Sequence, residues 1–301
     1  MSLLDKNNQQ VGDNSTSLQA GGNITINFGT GEDAIRDIVA RTLQFQMPAL
    51  REEAKRQVDE IASSFGSQII ERLSQEAEAV VIEKLRSPDI QYQINQSVIQ
   101  VARKGFGIKS NILKELIADK ISSHEEEEDI LIDHAFEIMP RLTTDNLKLI
   151  SIIHFIRSFS SHNFFKIKYV KSLLNNKQLF YRGSTIYLNS DNLFYHLVQG
   201  DSAFIHSIVY DIESLKKVDL SMMAINGCID FDKRYNTTYI DVFKRFNPAI
   251  DIDESNISTV YSTLNSIINK FGIDDFNKLN GVTLTPLGAI IATCYLESLA
   301  Y

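Results

Sequence analysis

The sequence has no tryptophan, only two cysteines among its 301 residues, and no long apolar run. Cys228 and Cys294 lie far apart in a chain without an export signal, which predicts reduced, structural thiols and excludes a disulfide scaffold. The longest apolar runs, such as Leu149 to Phe155, are too short to cross a bilayer. The N-terminus has neither the basic start nor the apolar core of a signal peptide. We therefore expect a cytoplasmic protein with no membrane span.

Recognisable catalytic and cofactor motifs are also missing. The sequence contains no HExxH pair, no Walker or Rossmann glycine pattern and no zinc-ribbon cysteine spacing. The tripeptide Gly200 to Ser202 is similar to a hydrolase nucleophile turn, but no histidine or acid partner is placed beside it. The sequence predicts a protein that is not an enzyme and has no cofactor or metal.

The residues that are present suit a soluble globular protein. Apolar residues make up 44% and charged residues 23% of the chain, and 17 Phe and 11 Tyr are available for a core. The net charge is −8, and most of it belongs to residues 31–132, which hold 13 basic and 19 acidic residues. Its densest part is Glu125 to Asp129, which we interpret as a solvated helix start rather than a metal site. An acidic middle part argues against wrapping a polyanion.

The first thirty residues form a different kind of sequence. Apolar and polar residues alternate on both sides of Gly21-Gly22, which predicts two short strands. Two strands alone are marginal in water, so they need a partner in the chain or in a neighbouring copy, unless the segment is a disordered tail. The candidate self-association residues in this segment are Leu18, Gln19, Gly21, Asn23, Ile24, Ile26 and Phe28.

Asn14 to Ile26 resembles a glycine-rich β motif of bacterial proteins suspected of roles in antiphage conflict. It is also loosely similar to the Gln-x-Gly-x-x-Asn core of amyloid signalling motifs, from which its spacing departs by one residue. Ser87 to Tyr92, Asp133 to Thr143 and Leu284 to Gly288 resemble segments of an uncharacterised bacterial family known by locus tags. The resemblance implies a defence or stress context and no reaction.

A long amphipathic helical region follows. Pro48 predicts a break or kink, with one helix over about residues 32–46 and a second over about residues 48–86. Apolar residues recur in the second helix about every 3.75 residues, which predicts a straight or right-handed supercoil if copies pair. Alternatively, this stripe packs on the chain's own helices. The candidate self-association residues here are Ile61, Phe65 and Ile69.

A candidate nucleic-acid-binding unit lies in the C-terminal part. A helix is predicted over residues 164–174, after another predicted helix and before predicted strands over residues 178–181 and 185–188. Helix, helix and hairpin is the order of a winged helix. The basic residues of this unit are Lys166, Lys168, Lys171, Lys177 and Arg182. They predict phosphate contacts, a solvated basic face or a contact site for the protein's own acidic middle part.

We therefore expect a mainly α protein in three parts. These are a self-association segment over residues 1–30, an acidic long-helix region over residues 31–132, and an α-rich domain with the winged-helix-like unit over residues 133–301. The predicted function is non-enzymatic self-assembly in a bacterial defence or stress system, with a second protein of that system as a further partner. The alternative is nucleic-acid binding through the winged-helix-like unit.

Overall fold

The fold is given by a computed structural model. It describes residues 32–74, 76, 78–158, 178–181, 184–187, 193–199, 204–232, 237–246, 248 and 250–300. The protein is mainly helical, which confirms the predicted fold class. It divides into a unit of residues 1–57 and a unit of residues 58–301. In the described part of the chain, no helix has the length and apolar character that crossing a membrane requires.

Helix α1, Glu32–Leu73, runs through both units. The predicted helix break at Pro48 is wrong, because the helix continues past this residue. A proline inside a helix costs about 3 kcal/mol, but strong helix formers such as Leu43 and Leu50 flank it. The predicted end near Arg86 is also wrong, since α1 stops at Leu73.

The next helices lie within residues 78–158. They are α2 Glu78–Leu85, α3 Pro88–Lys104, α4 Ile108–Ser122, α5 Glu126–Ile138 and α6 Thr144–Ser158. Pro88 opens α3, where its missing N–H costs no helical hydrogen bond. A short 3-10 helix, Met139–Arg141, follows α5 directly. The predicted domain boundary between residues 132 and 133 lies inside α5.

A hairpin follows at the predicted place. Strands β1, Gln178–Tyr181, and β2, Ser184–Tyr187, pair antiparallel with Leu179 opposite Ile186. Two short helices come next, α7 Leu193–Val198 and α8 Phe204–Val209.

Residues 220–225 end at the turn signal Asn226-Gly227, which predicts a strand that pairs with a return strand over residues 228–231. The first strand is wrong, because these residues form helix α9, Leu220–Ile225, which the Asp219 carboxylate caps by accepting a hydrogen bond from the Ser221 N–H at 2.8 Å. The return strand exists as β3, Ile229–Phe231, but it pairs antiparallel with β4, Val282–Leu284.

The remaining helices belong to the second unit. They are α10 Tyr239–Phe246, α11 Ile257–Val260, α12 Ser262–Lys270 and α13 Pro286–Glu297, with 3-10 helices at Phe276–Leu279 and Ser298–Ala300. Thr285 caps α13, since its hydroxyl accepts a hydrogen bond from the Gly288 N–H at 3.0 Å.

Helix α13 lies at the centre of the second unit and packs against α4, α5 and α6. The side chains at this junction are fully buried, among them Ile112 and Leu116 of α4, Ile153 of α6 and Ile291 of α13. The phenolic hydroxyl of Tyr295 donates to the carbonyl of Ile208, which ties α8 to this core.

Candidate functional site

An apolar groove lies between the C-terminal end of α1 and α2, inside the second unit. We call it the α1–α2 groove. Its volume is about 370 Å³, and its apolar lining residues are Ile70, Leu73, Val81, Ile82 and Leu85. Ile70 is 71% exposed and Ile82 is 47% exposed. The groove therefore presents two large aliphatic side chains to solvent.

The helical repeat explains why these two residues face outward. On α1, Phe65 and Ile69 are four residues apart and both are buried, so they point into the core. Ile70 is turned about 100° further around the helix axis, away from that core. On α2, Val81 is partly buried against the core and Ile82 is the next residue around the helix.

A buried ion pair fixes the α1 wall of the groove. The Arg72 guanidinium donates to Glu115 on α4 at 2.7 Å and to Glu76 at 2.8 Å, and both Arg72 and Glu115 are nearly inaccessible. A pair this well buried is strongly weakened by the loss of either partner. The end of α1 is therefore held against α4.

The same polar cluster includes the thiol of Cys294 on α13. Its Sγ donates to the Asp119 carboxylate of α4 at 3.2 Å. Burial raises the pKa of Asp119 to about 6, the Cys294 hydrogen bond opposes this rise, and the Glu115 charge adds to it. Burial, followed by the Asp119 charge, raises the pKa of Cys294 well above its ordinary value. Cys294 is therefore a protonated structural thiol and not a nucleophile at neutral pH.

Cys228 has the same character. It is buried and free, and burial raises the pKa of its thiol to about 11. The sequence prediction of two reduced, structural cysteines is confirmed by these two positions.

A second charged cluster joins three helices around Lys120 of α4. Its ammonium lies 2.9 Å from Asp89 of α3, and 3.0 Å and 2.8 Å from Asp129 and Asp133 of α5. Burial would lower the pKa of Lys120, but hydrogen bonds to Asp133, Asp89 and Asp129 outweigh it and hold the pKa above its ordinary value.

The three carboxylates around Lys120 are close enough together to ligate a metal ion. The lysine ammonium already supplies positive charge to all three, so we interpret them as a structural ion-pair cluster. Asp129 belongs to the acidic run that the sequence predicts to be a helix start. That prediction is confirmed, because α5 begins at Glu126 with four acids in its first turn.

A partly buried histidine, His154, lies between two hydroxyl groups. His154 Nδ1 is 3.1 Å from the Ser158 hydroxyl, and its Nε2 is 3.3 Å from the Thr293 hydroxyl of α13. Burial lowers the pKa of His154 to about 4, so the ring is neutral at neutral pH. The contact with Thr293 connects α6 to α13.

The predicted self-association residues fall into two groups. Phe65 and Ile69 are buried, and Ile61 is partly buried against the same core, so this part of the stripe packs on the chain's own helices. The other group lies outside the described residues; it comprises Leu18, Gln19, Gly21, Asn23, Ile24, Ile26 and Phe28. Ile70 and Ile82 are exposed apolar residues that the sequence pattern did not single out.

The predicted nucleic-acid-binding residues also lie outside the described residues. They are Lys166, Lys168, Lys171, Lys177 and Arg182. The predicted helix over residues 164–174 lies there as well, so the winged-helix arrangement stays a prediction. The hairpin of that unit is described, and β1 has the predicted bounds.

The model of an uncharacterised family, known by a locus tag, matches residues 29–221, which is more than half of the chain. The chain belongs to this uncharacterised family. The match includes α1, the α1–α2 groove and the hairpin, whereas the N-terminal glycine-rich motif and α13 lie outside it. No curated protein and no solved structure matches the chain.

Proposed function

We propose that this protein is a non-enzymatic, self-assembling component of a bacterial antiphage defence or stress system. The observation that carries the proposal is the pair of exposed isoleucines, Ile70 and Ile82, at the opening of one apolar groove. A groove of about 370 Å³ has room for a few aliphatic side chains. The partner is the same groove of a second copy.

A two-fold contact suits such a groove, because the same surface then serves both chains. In this arrangement Ile70 of one copy lies against Ile82 of the other, and the converse contact is equivalent. Fully burying an exposed isoleucine side chain contributes about 1.5–3 kcal/mol, and each of the four isoleucines contributes less than this because it is already partly buried in a single copy. Association itself costs about 4–15 kcal/mol, so the grooves alone give a weak dimer.

The N-terminal segment supplies the second contact of the proposal. Ile24, Ile26 and Phe28 alternate with polar residues, and the strand that this alternation predicts would pair with strands of neighbouring copies. Two weak contacts on one chain reinforce one another, since the second forms within an assembly that the first has already brought together.

Cysteine cross-linking tests the groove contact. An I70C chain is mixed with an I82C chain and oxidised. Each chain carries only one of the two new cysteines, so a disulfide between positions 70 and 82 can form only between two copies. The native thiols are buried and protonated, so they do not compete. The proposal predicts a disulfide-linked dimer in the mixture. An I225C chain is the control, because Ile225 is 76% exposed but lies outside the groove. Cross-linking no faster than in this control would contradict the contact.

Light scattering tests the N-terminal contact. The full chain is compared with a chain that starts at Thr30, at the same micromolar concentration. The proposal predicts a larger mass for the full chain, and equal monomer masses would contradict it.

A plaque assay tests the biological role. Bacteria that carry the protein together with its neighbouring genes should give fewer phage plaques than bacteria that carry an I24D/I26D variant. Equal plaque numbers for the two strains across a phage panel would contradict the defence role.

A second candidate function is nucleic-acid binding by a winged-helix-like unit. It is favoured by the hairpin of β1 and β2, which has the form of a wing, and by the basic residues Lys168 and Lys171 that precede it in the chain. DNA retention that falls with salt and is lost on charge reversal of Lys168 and Lys171 would support this function. No retention even at low salt would remove it.

A further inference from the structure

A second cavity, of about 400 Å³, lies where α3 ends and α4 begins. We call it the α3–α4 cavity. Its polar and charged lining includes Gln96, Gln100, Arg103, Lys104 and Lys109. It is separate from the α1–α2 groove, with which it shares no lining residue.

The helical repeat of α3 arranges part of this lining. Gln96, Gln100 and Arg103 follow one another at spacings of four and three residues, so they share one face of the helix. Ile99 and Val101 of α3 and Leu113 of α4 add apolar wall to the cavity. The lining is therefore basic in part, and the rest of it is apolar with two amide side chains.

A short loop brings the third cation to the same place. Helix α3 ends at Gly105, whose φ of +80° is a left-handed conformation that favours glycine, and whose N–H donates to Val101 at 2.8 Å. Helix α4 then begins at Ile108, and the Ser110 hydroxyl accepts a hydrogen bond from the Gly107 N–H at 2.9 Å. Lys109 thus stands in the first turn of α4, beside the last turn of α3.

The three cations have no carboxylate partner among the residues that the structure describes. The first turn of α4 contains no acid, and Arg103 and Lys104 both lie in the last turn of α3. Burial, followed by the charge of Lys104, lowers the pKa of Lys109. The cavity therefore concentrates positive charge that a bound anion would compensate.

We propose that the α3–α4 cavity binds a nucleotide, with its phosphates at Arg103, Lys104 and Lys109. Three cationic side chains in the lining of one cavity suit phosphate oxygens, which accept charge-assisted hydrogen bonds. The first turn of α4 adds the positive end of a helix dipole to the same place. The amides of Gln96 and Gln100 and the apolar wall suit a base, which has polar edges and an apolar face.

The size of the cavity favours a single nucleotide over a nucleic acid as the ligand. A volume of about 400 Å³ is that of a small-molecule pocket, whereas a duplex is bound along an extended basic surface. The proposal goes beyond self-assembly and does not depend on it, because none of its residues lines the α1–α2 groove.

Isothermal titration calorimetry of the full chain tests the proposal with ADP, inorganic pyrophosphate and adenosine as probes. We expect ADP and pyrophosphate to bind, and adenosine to bind far more weakly than ADP. In K104Q/K109Q the affinity for both phosphate compounds should fall about tenfold or more. A K216Q variant is the control, because Lys216 is an exposed lysine outside the cavity, and it should bind as the wild type does.

A further variant tests the two amide side chains of the cavity. Q96A/Q100A should weaken ADP more than pyrophosphate, since these amides are assigned to the base. If K104Q/K109Q does not fold, as judged by thermal unfolding, R103Q takes its place because the Arg103 side chain is exposed. The proposal is overturned if wild-type protein binds neither ADP nor pyrophosphate at millimolar concentration, or if the lysine variant binds them as tightly as the wild type.

Discussion

The ammonium of Lys120 lies 2.8 Å from the carboxylate of Asp133, and this contact joins α4 to α5 inside a cluster that also holds Asp89 of α3. Lys120 is 1% exposed, whereas its three partners keep part of their surface in water. One buried cation thus holds three helices together. A lysine is almost never this buried unless acids pair with it.

Replacing Lys120 with methionine should destabilise the protein by about 3 kcal/mol, because three carboxylates are left close together without their cation. Chemical denaturation at neutral pH measures this loss. A K278M variant is the control, since Lys278 pairs with Asp274 on the surface and its loss should leave the unfolding free energy unchanged. Equal effects of the two substitutions would contradict the structural role of Lys120.

Asp119 should make stability fall as the pH rises. Its pKa in the folded protein is about 6, above its ordinary value of 3.8, so the folded state holds this proton more tightly than the unfolded state does. The free energy of unfolding therefore decreases between about pH 4 and pH 6, by about 3 kcal/mol from this group. A D119N variant lacks this loss and should be more stable than the wild type at pH 7. Denaturation curves across this range check the difference, which should vanish below about pH 4.

His154 should act in the opposite direction. Its pKa of about 4 in the folded protein lies below its ordinary value of 6.5, so the unfolded state takes up this proton first as the pH falls. The stability that the neutral ring contributes is present above about pH 6.5 and is lost towards pH 4, by about 3 kcal/mol. In H154Q the unfolding free energy should no longer have this slope. An unchanged slope in the variant would show that other groups cause it.

Alanine substitution should have opposite effects on the stability of the protein at two glycines of the second unit. A Cβ at Gly288 would lie 1.9 Å from the carbonyl oxygen of Cys228, where α13 meets the chain just before β3. G288A should therefore destabilise the protein by about 3 kcal/mol or more. A Cβ at Gly66 meets nothing within 4 Å, and this residue lies inside α1. G66A should stabilise the protein by about 1 kcal/mol. Thermal unfolding of the two variants side by side checks both signs.

Local sequence patterns predicted most of the helices, because their signals lie within a few residues of each helix end. Ser87 followed by Pro88 predicts a helix start, and α3 begins at Pro88; Pro286 predicts the start of α13 in the same way. Pro48 misled the prediction, since a single proline does not stop a helix whose flanking residues are strong helix formers. The turn signal after residues 220–225 predicts a strand, whereas the Asp219 cap before them favours the helix α9 that they form.

Contacts between distant segments were not predictable in this way. The partner of β3 lies about fifty residues away along the chain, at β4, and no local pattern identifies it. The acidic run suggested a solvated surface, yet Asp129 within it pairs with the buried Lys120. The groove residues Ile70 and Ile82 were missed because each stands beside the main apolar stripe. Their signal is a second apolar residue directly after a core position.

Sedimentation velocity over a rising concentration series tests the central claim of self-assembly most directly. The wild-type chain should show a sedimentation coefficient that increases with concentration, and I70S/I82S should shift this increase to higher concentration. An I225S variant should behave as the wild type does, because Ile225 lies outside the α1–α2 groove. A wild-type coefficient that stays at the monomer value at every concentration would contradict the account.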